Sequence, residues 1–233
     1  MITIDYFSDI LCVWAYGGQI RLDALQREFG DAVLVRHRFM SLFADTQTRI
    51  AEGWKDRDGF AGFGRHMQEV CAQWEHTRLH PAVWTQCRPV SCTTSHVFLK
   101  AAALCLGVAE GAGQGGEGAV DARQRFEKLV AATRLAFFER AQDISRLAVL
   151  LELLAPTGID ADAVRARIDA GEAYAALHRD AELMKAYGVL GSPTYVFNEG
   201  RQLLYGNVGY RIIESNLREL ISAHPVQGEP SWC

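Results

Sequence analysis

The chain has 233 residues, 49% of them hydrophobic and 22% charged, with a formal net charge of −4. That length buries a sizeable core, as one large domain or one domain carrying an insertion. The mild acidity offers no basic surface to a phosphate backbone, and no apolar run approaches the ~20 residues that cross a bilayer, so neither nucleic acid nor membrane is expected as a partner.

Ile2-Thr3-Ile4-Asp5-Tyr6-Phe7 predicts a buried strand, broken by Ser8-Asp9. Cys12-Val13-Trp14-Ala15 then opens a helical run, with Leu22, Leu25 and Phe29 at helical spacing and Gly30 as its stop. Residues 32–40 are rich in β-branched and apolar side chains and predict a second strand, parallel to the first because a β-α-β start needs a crossover.

Strand signals vanish over residues 45–171. Phe60, Phe63, Met67, Val70 and Trp74 mark an amphipathic helix with Asp58 as its cap, and a second helix is predicted over residues 91–107. The glycine-rich stretch 107–118 predicts a flexible connector. Helices resume around Phe126, Val130 and Phe137; from Leu147 behind a Ser145 cap; around Val164 and Ile168 behind an Asp160 cap; and around Tyr174, Leu177, Ala181 and Met184. Residues 194–197 and 202–205 predict a hairpin whose turn, Asn198-Glu199-Gly200, takes a positive φ at Gly200. A last helix carries Ile212, Ile213, Leu217, Leu220 and Ile221. The order β-α-β, helices, α-β-β-α reads as an α/β domain of residues 1–50 and 172–233, interrupted by an all-helical insertion of residues 51–171.

The start of the chain shows no basic patch followed by an apolar stretch and a small-residue cleavage site, so a cytoplasmic protein is expected. Its six cysteines, Cys12, Cys71, Cys87, Cys92, Cys105 and Cys233, are then expected mostly as free thiols. Cys71 and Cys105 suit core packing. Cys87 and Cys92 could form a second redox pair or supply a resolving thiol, and Cys233 could reach a neighbouring chain. His66, His76, His80 and His96 lack a metal-binding set, so no metal is expected.

Cys12 is the residue with chemistry to explain. At a strand-to-helix junction the unpaired N–H groups of the first turn favour a thiolate, and such thiols ionise well below their ordinary range. Trp14 would give an apolar, partly exposed rim beside it. The plain alternative is an inert residue in the apolar run Ile10, Leu11, Val13, Trp14. Far downstream, Gly188-Val189-Leu190-Gly191-Ser192-Pro193-Thr194 is the kind of segment in which a proline is held cis, leaving neighbouring backbone groups free for an extended ligand.

Three stretches carry a family resemblance. Residues 7–16, with Ser8-Asp9 and Cys12-Val13-Trp14-Ala15-Tyr16, resemble the Ser-Asp, two apolar residues, Cys-Pro-Trp-Cys-Tyr pattern of the cytosolic FrnE-like branch of the DsbA family, in the thioredoxin superfamily. Phe137-Phe138-Glu139 with Asp143-Ile144-Ser145, and residues 188–197, resemble its second and third signatures. The resemblance implies a thioredoxin-like fold and a thiol–disulfide oxidoreductase. Val13 stands where the branch has proline and Ala15 where it has the resolving cysteine, so Cys12 cannot close a disulfide within its own motif.

The implied reading is a single-cysteine enzyme that forms a mixed disulfide on Cys12, resolved by glutathione as co-substrate, with no tightly bound cofactor. Its partners would be glutathione and a disulfide-containing protein or small molecule, with a homodimer as a further expectation. By the same resemblance, Ser192 and Pro193 complete the catalytic set, Ser192 offering a hydroxyl to the thiolate. Trp14, Ala15, Thr194, Asn207 and His96 are the candidate glutathione or substrate contacts. Asn207 equally suits a helix cap, and His96 a helix surface. Two related groups, the 2-hydroxychromene-2-carboxylate isomerases and the kappa-class glutathione transferases, lack the cysteine pair and bind glutathione through a serine. A glutathione-dependent isomerase or transferase on a small aromatic compound is therefore the alternative, with Phe60, Phe63, Trp74 and Trp84 as walls of its pocket. A non-catalytic binding module is the third.

Overall fold

The computed structural model describes residues 1–109 and 117–222. Strands β1 (Ile2–Ser8), β2 (Val33–Phe39), β3 (Thr194–Phe197) and β4 (Gln202–Tyr205) form one sheet in the order β2-β1-β3-β4. The helices are α1 (Val13–Phe29), α2 (Gly59–Cys71), α3 (Thr93–Cys105), α4 (Glu117–Phe138), α5 (Leu147–Glu152), α6 (Ala161–Asp169), α7 (Glu172–Ala186) and α8 (Tyr210–Ser222). β1 runs parallel to β2, from Ile2 opposite Val33 to Ser8 opposite Phe39, with α1 as the crossover. β3 is antiparallel to both β1 and β4. This is the α/β thioredoxin-like arrangement, β-α-β and α-β-β-α, with helices between its halves.

Strand alternation sorts the core. Ile2, Ile4 and Tyr6 of β1 meet Leu22 and Leu25 of α1 and Ile213, Leu217 and Leu220 of α8. Phe7 and Val196 point the other way, onto Met40, Val189 and the α7 residues Leu183 and Met184. Asp5 shares that second face and is fully buried, so it needs cations. Arg36 and Arg38 of β2 supply them at 2.6 and 2.7 Å. Arg38 also reaches Asp180 of α7 at 3.3 Å, and Asp180 binds Lys100 of α3 at 2.6 Å and accepts the Phe39 N–H at 2.8 Å. This buried ionic chain ties α3 and α7 to the sheet; deleting one member would strand its partner at a cost of about 3–5 kcal/mol.

Among the described residues, no strand interrupts 45–171, apart from an isolated bridge between Val83 and Cys87. Of the expected pocket walls, Phe63 and Trp84 are buried core, whereas Phe60 and Trp74 are half-buried. Trp84 is wholly buried, with the rings of Phe43, Phe60, Phe63 and Phe137 stacked or edge-on around it at 5.0–6.2 Å. Such offset and edge contacts fill space that a ligand would otherwise need.

Three local expectations change. Asp58 precedes α2 at φ 65° and makes no cap; its carboxylate pairs with Arg65. Ser145 bonds Asp143, and Arg146 holds the cap position of α5. Trp74 lies past the end of α2. Asp160 does cap α6, accepting the Asp162 N–H at 2.9 Å. The hairpin turn takes positive φ at Asn198 and Glu199 as well as at Gly200. Residues 110–116 of the expected connector, and Cys233, lie outside the described residues. No described helix is long and apolar enough to cross a membrane.

Candidate active site

The site begins where β1 stops. Asp9 closes a turn: its carbonyl accepts the Cys12 N–H at 3.1 Å, and Cys12 occupies the N-cap position of α1 in extended conformation, its carbonyl accepting the Tyr16 N–H. The Asp9 carboxylate stiffens that turn, one oxygen accepting the Leu11 N–H and the other the Phe43 N–H, both at 2.9 Å. His96 of α3 accepts the Ile10 N–H at its Nε2 (3.1 Å). Each backbone N–H of the turn thus has a defined acceptor, as buried peptide groups require.

The far segment arrives at the same place. The Ser192–Pro193 peptide is cis. The Ser192 hydroxyl accepts the Asp9 N–H at 3.0 Å, and the Cys12 thiol donates to the Ser192 carbonyl at 3.4 Å. Cys12, Ser192 and Pro193 therefore converge, bridged by Asp9. The backbone there is less open than expected. The Ser192 carbonyl is taken by the thiol and the Pro193 carbonyl by the Gly206 N–H (2.8 Å). The Ser192 N–H has no partner among the described residues.

The thiol itself differs from expectation. Cys12 is only 5% exposed, and burial pushes its pKa up from the ordinary thiol value. The Ser192 side chain and the Ala15 and Trp14 N–H groups pull it down, while the Asp9 carboxylate adds a smaller push upward. First-turn N–H groups do point at the sulfur, but desolvation outweighs them, and the resting group is a thiol.

The other candidate contacts divide. Trp14 is 38% exposed and packs edge-on against Trp74 (centroids 5.4 Å apart), forming an apolar rim beside the sulfur. Leu190, in the loop that carries Ser192, is largely exposed. Ala15 and Thr194 are wholly buried; Ala15 offers only its N–H, and the Thr194 hydroxyl turns inward to the Gly191 carbonyl at 2.6 Å. Asn207 does not cap α8, whose first turn starts from Gly209; it is half-buried and its side-chain oxygen accepts from Arg21. His96 is neither on a helix surface nor in contact with an open cleft. It is fully buried against Phe39, its pKa driven down to about 4 by burial, with Asp9 opposing the shift and Lys100 and Arg134 adding to it.

Asp9 is the residue that strand-and-helix patterning passes over. Its signal is local: an aspartate accepting the N–H two residues on is an Asx turn. Together with Cys92 and His96 it brings three ligand-type atoms within 4.8 Å of one another. These atoms are already engaged with one another and the backbone: Asp9 accepts two N–H groups and the Cys92 thiol, and His96 Nε2 accepts a third N–H. The cluster is a polar knot behind the Cys12 turn. Cys92 and Cys87 are both free thiols, not a bonded pair; burial raises both, Cys87 to about 11.

Residues 118–218 match the family model described as a DSBA-like thioredoxin domain, a span that holds Ser192 and Pro193 but not Cys12. No curated protein matches the chain. Among solved structures it is similar to a probable DsbA oxidoreductase from Streptomyces coelicolor, at 21% identity and TM-score 0.71, over 100% of this chain and 94% of that one. It is similar to the cytosolic disulfide reductase DsbM from Pseudomonas aeruginosa with GSH, at 22% identity and TM-score 0.60, over 93% and 99%. A 2-hydroxychromene-2-carboxylate isomerase aligns at 14% identity and TM-score 0.59, over 94% and 96%. The resemblance to the DsbA family is borne out, and the fold is the DsbA-like thioredoxin fold.

Proposed function

We propose that this DsbA-like thioredoxin fold carries a thiol–disulfide exchange enzyme that works through Cys12 alone and uses glutathione as its second thiol. The observation that carries the reading is the contact of the Cys12 thiol with the Ser192 carbonyl at 3.4 Å, at the start of α1 and with alanine at position 15. In the first step Cys12 gives its proton to solvent and its sulfur attacks a glutathionyl mixed disulfide, forming a Cys12–glutathione disulfide and expelling the substrate's thiolate, which takes up a proton. In the second, a glutathione thiolate attacks the glutathione sulfur of that adduct, releasing oxidised glutathione and the Cys12 thiolate. One disulfide is consumed and one formed: the substrate is reduced to its thiol, and its glutathionyl group leaves with one free glutathione as oxidised glutathione.

The surroundings support each step. The Ala15 and Trp14 N–H groups and the Ser192 side chain stabilise the negative sulfur while it is attacking or leaving. Loss of the thiol proton also frees the Ser192 carbonyl, so that it and the Ser192 N–H become available to the backbone of an extended ligand. The DsbM structure similar to this chain contains GSH, which fits glutathione as the ligand here. A glutathione-dependent isomerase would share the same contacts, but Phe63 and Trp84, two of the four aromatic residues that would wall its pocket, are packed as core.

The test is intact-mass analysis after incubation with a glutathionylated peptide. One glutathionyl group is expected on Cys12, released by added glutathione and absent in Cys12→Ser. Undiminished deglutathionylation by Cys12→Ser would overturn the reading.

A further inference from the structure

Between α1 and α4 lies a cavity of about 320 Å³, open to solvent and bounded at one end by His76 and Thr77. Neither Cys12 nor Ser192 lines it. Tyr16, Gln19, Ile20 and Asp23 recur every three or four residues along α1 and so present one face to it, opposed by Arg134, Leu135 and Glu139.

Among the described residues, Arg134, Asp23 and Glu139 are left without ionic partners. Arg134 is 1% exposed and is held by the Ser8 hydroxyl (3.0 Å) and the Gln19 carboxamide oxygen; its Nε has no partner among the described residues. No carboxylate among the described residues lies within ion-pair distance of it. A buried guanidinium held by two neutral groups lacks the counter-ion that such a group ordinarily needs. The acids show the converse deficit: the Asp23 carboxylate accepts from the Gln19 amide (3.0 Å) and Glu139 from the Tyr16 hydroxyl (2.9 Å), with no cation on either among the described residues. Gln19 stands between the two kinds of charge, its oxygen on Arg134 and its nitrogen on Asp23, as a neutral stand-in for both halves of a zwitterion.

We propose that this cavity binds a zwitterionic α-amino acid with an apolar side chain. The carboxylate replaces the Gln19 oxygen on Arg134, the ammonium meets the acidic rim of Asp23 and Glu139, and the side chain lies against Ile20 and Leu135. The volume falls at the small end of ligand pockets, about 300–1,000 Å³, as a single amino acid requires. The site is independent of the chemistry at Cys12.

Calorimetric titration with L-leucine and L-phenylalanine tests it, against N-acetyl-leucine, which has no ammonium, and leucinamide, which has no carboxylate. Binding of a free amino acid is expected, each blocked analogue being weaker by about tenfold or more. Gln19→Glu places a carboxylate on Arg134 from within and is expected to abolish binding without lowering the melting temperature. Glu139→Gln, on the rim, is expected to erase the preference for the free amino acid over its N-acetyl form. No binding by the unmodified protein, equal binding of free and blocked compounds, or undiminished binding by Gln19→Glu would overturn the assignment.

Discussion

The Cys12 thiol donates its proton to the carbonyl oxygen of Ser192, a residue 180 positions away in the chain. That bond makes the resting site a closed one. The group that would attack and the carbonyl that would receive an extended ligand occupy each other, and losing one proton opens both. Burial holds the proton on and first-turn N–H groups pull the other way, so the balance is readable in how the sulfur reacts with pH.

Alkylation of Cys12 by iodoacetamide, followed by peptide mass spectrometry, should rise only above the ordinary thiol range of about 8.5. The direction follows from desolvation, the largest influence on this thiol. Ser192→Ala removes a contact that favours the thiolate and should move the midpoint higher still. A midpoint below 8 in the unmodified protein would show that the helix start, not burial, controls the group.

Asp9→Asn should push stability and reactivity in opposite directions. The carboxylate accepts the Leu11 and Phe43 N–H groups with separate oxygens, and an amide NH2 cannot replace the second. One buried donor is left unpaired, costing about 2 kcal/mol in urea unfolding. The Asp9 charge also raises the Cys12 pKa, so its removal should speed alkylation at a fixed pH. A variant that is stable and equally slow would remove Asp9 from both roles.

His96 should make the fold acid-sensitive. Its pKa falls from the usual 6.5 to about 4 in the folded protein, so the folded state holds the neutral ring. That stability is fully present above pH 6.5, is lost as pH falls towards 4, and amounts to roughly 3 kcal/mol. The neutral ring accepts the Ile10 N–H at Nε2, which protonation would forbid. His96→Gln can offer an amide oxygen in its place. Urea unfolding at pH 7, 5.5 and 4 should show a smaller acid loss for the variant, and equal losses would mean that other groups set the acid limit.

The parallel β1–β2 pair and the closing hairpin were legible because strand alternation and helical period reach the surface of a sequence, whereas the placing of Cys12 against Ser192 came from the family resemblance. Ile2, Ile4 and Tyr6 read as a buried strand face and are one. What the sequence hid was burial. The helix N-terminus predicts an ionised sulfur, but Cys12 belongs to a buried apolar cluster that also takes in residues from distant segments, such as Phe43. His96 was hidden for the same reason: its period on α3 does not say that every side of that helix is covered. Asn207 looked like a cap until Arg21, on α1, claimed its oxygen.

Gly17→Ala should damage the rim while leaving the thiol alone. A Cβ at position 17 would overlap the ring of Trp74, which packs edge-on against Trp14. The substitution favours helix by about 1 kcal/mol, so any loss must come from moving Trp74. Intrinsic tryptophan fluorescence should shift, and the rate of glutathionylation should fall with the alkylation midpoint of Cys12 unchanged. A shifted midpoint would mean that the rim and the thiol are not separable.

Ala15→Cys probes the missing half of the motif. Position 15 is fully buried and its N–H points at the Cys12 sulfur, so a side chain there starts one helical turn from the thiol on the same face. The added sulfur must fit a packed site, costing about 1–3 kcal/mol. Given that, the new thiol should attack a glutathione adduct on Cys12 from within, expelling glutathione and leaving a disulfide between positions 12 and 15. Intact mass after treatment with oxidised glutathione distinguishes the two forms: the unmodified protein should retain one glutathionyl group, and the variant should lose two hydrogens and carry none. An adduct that persists on the variant would show that the first turn of α1 holds position 15 out of reach of Cys12, and that the chain's dependence on an external thiol is built into its backbone as well as its sequence.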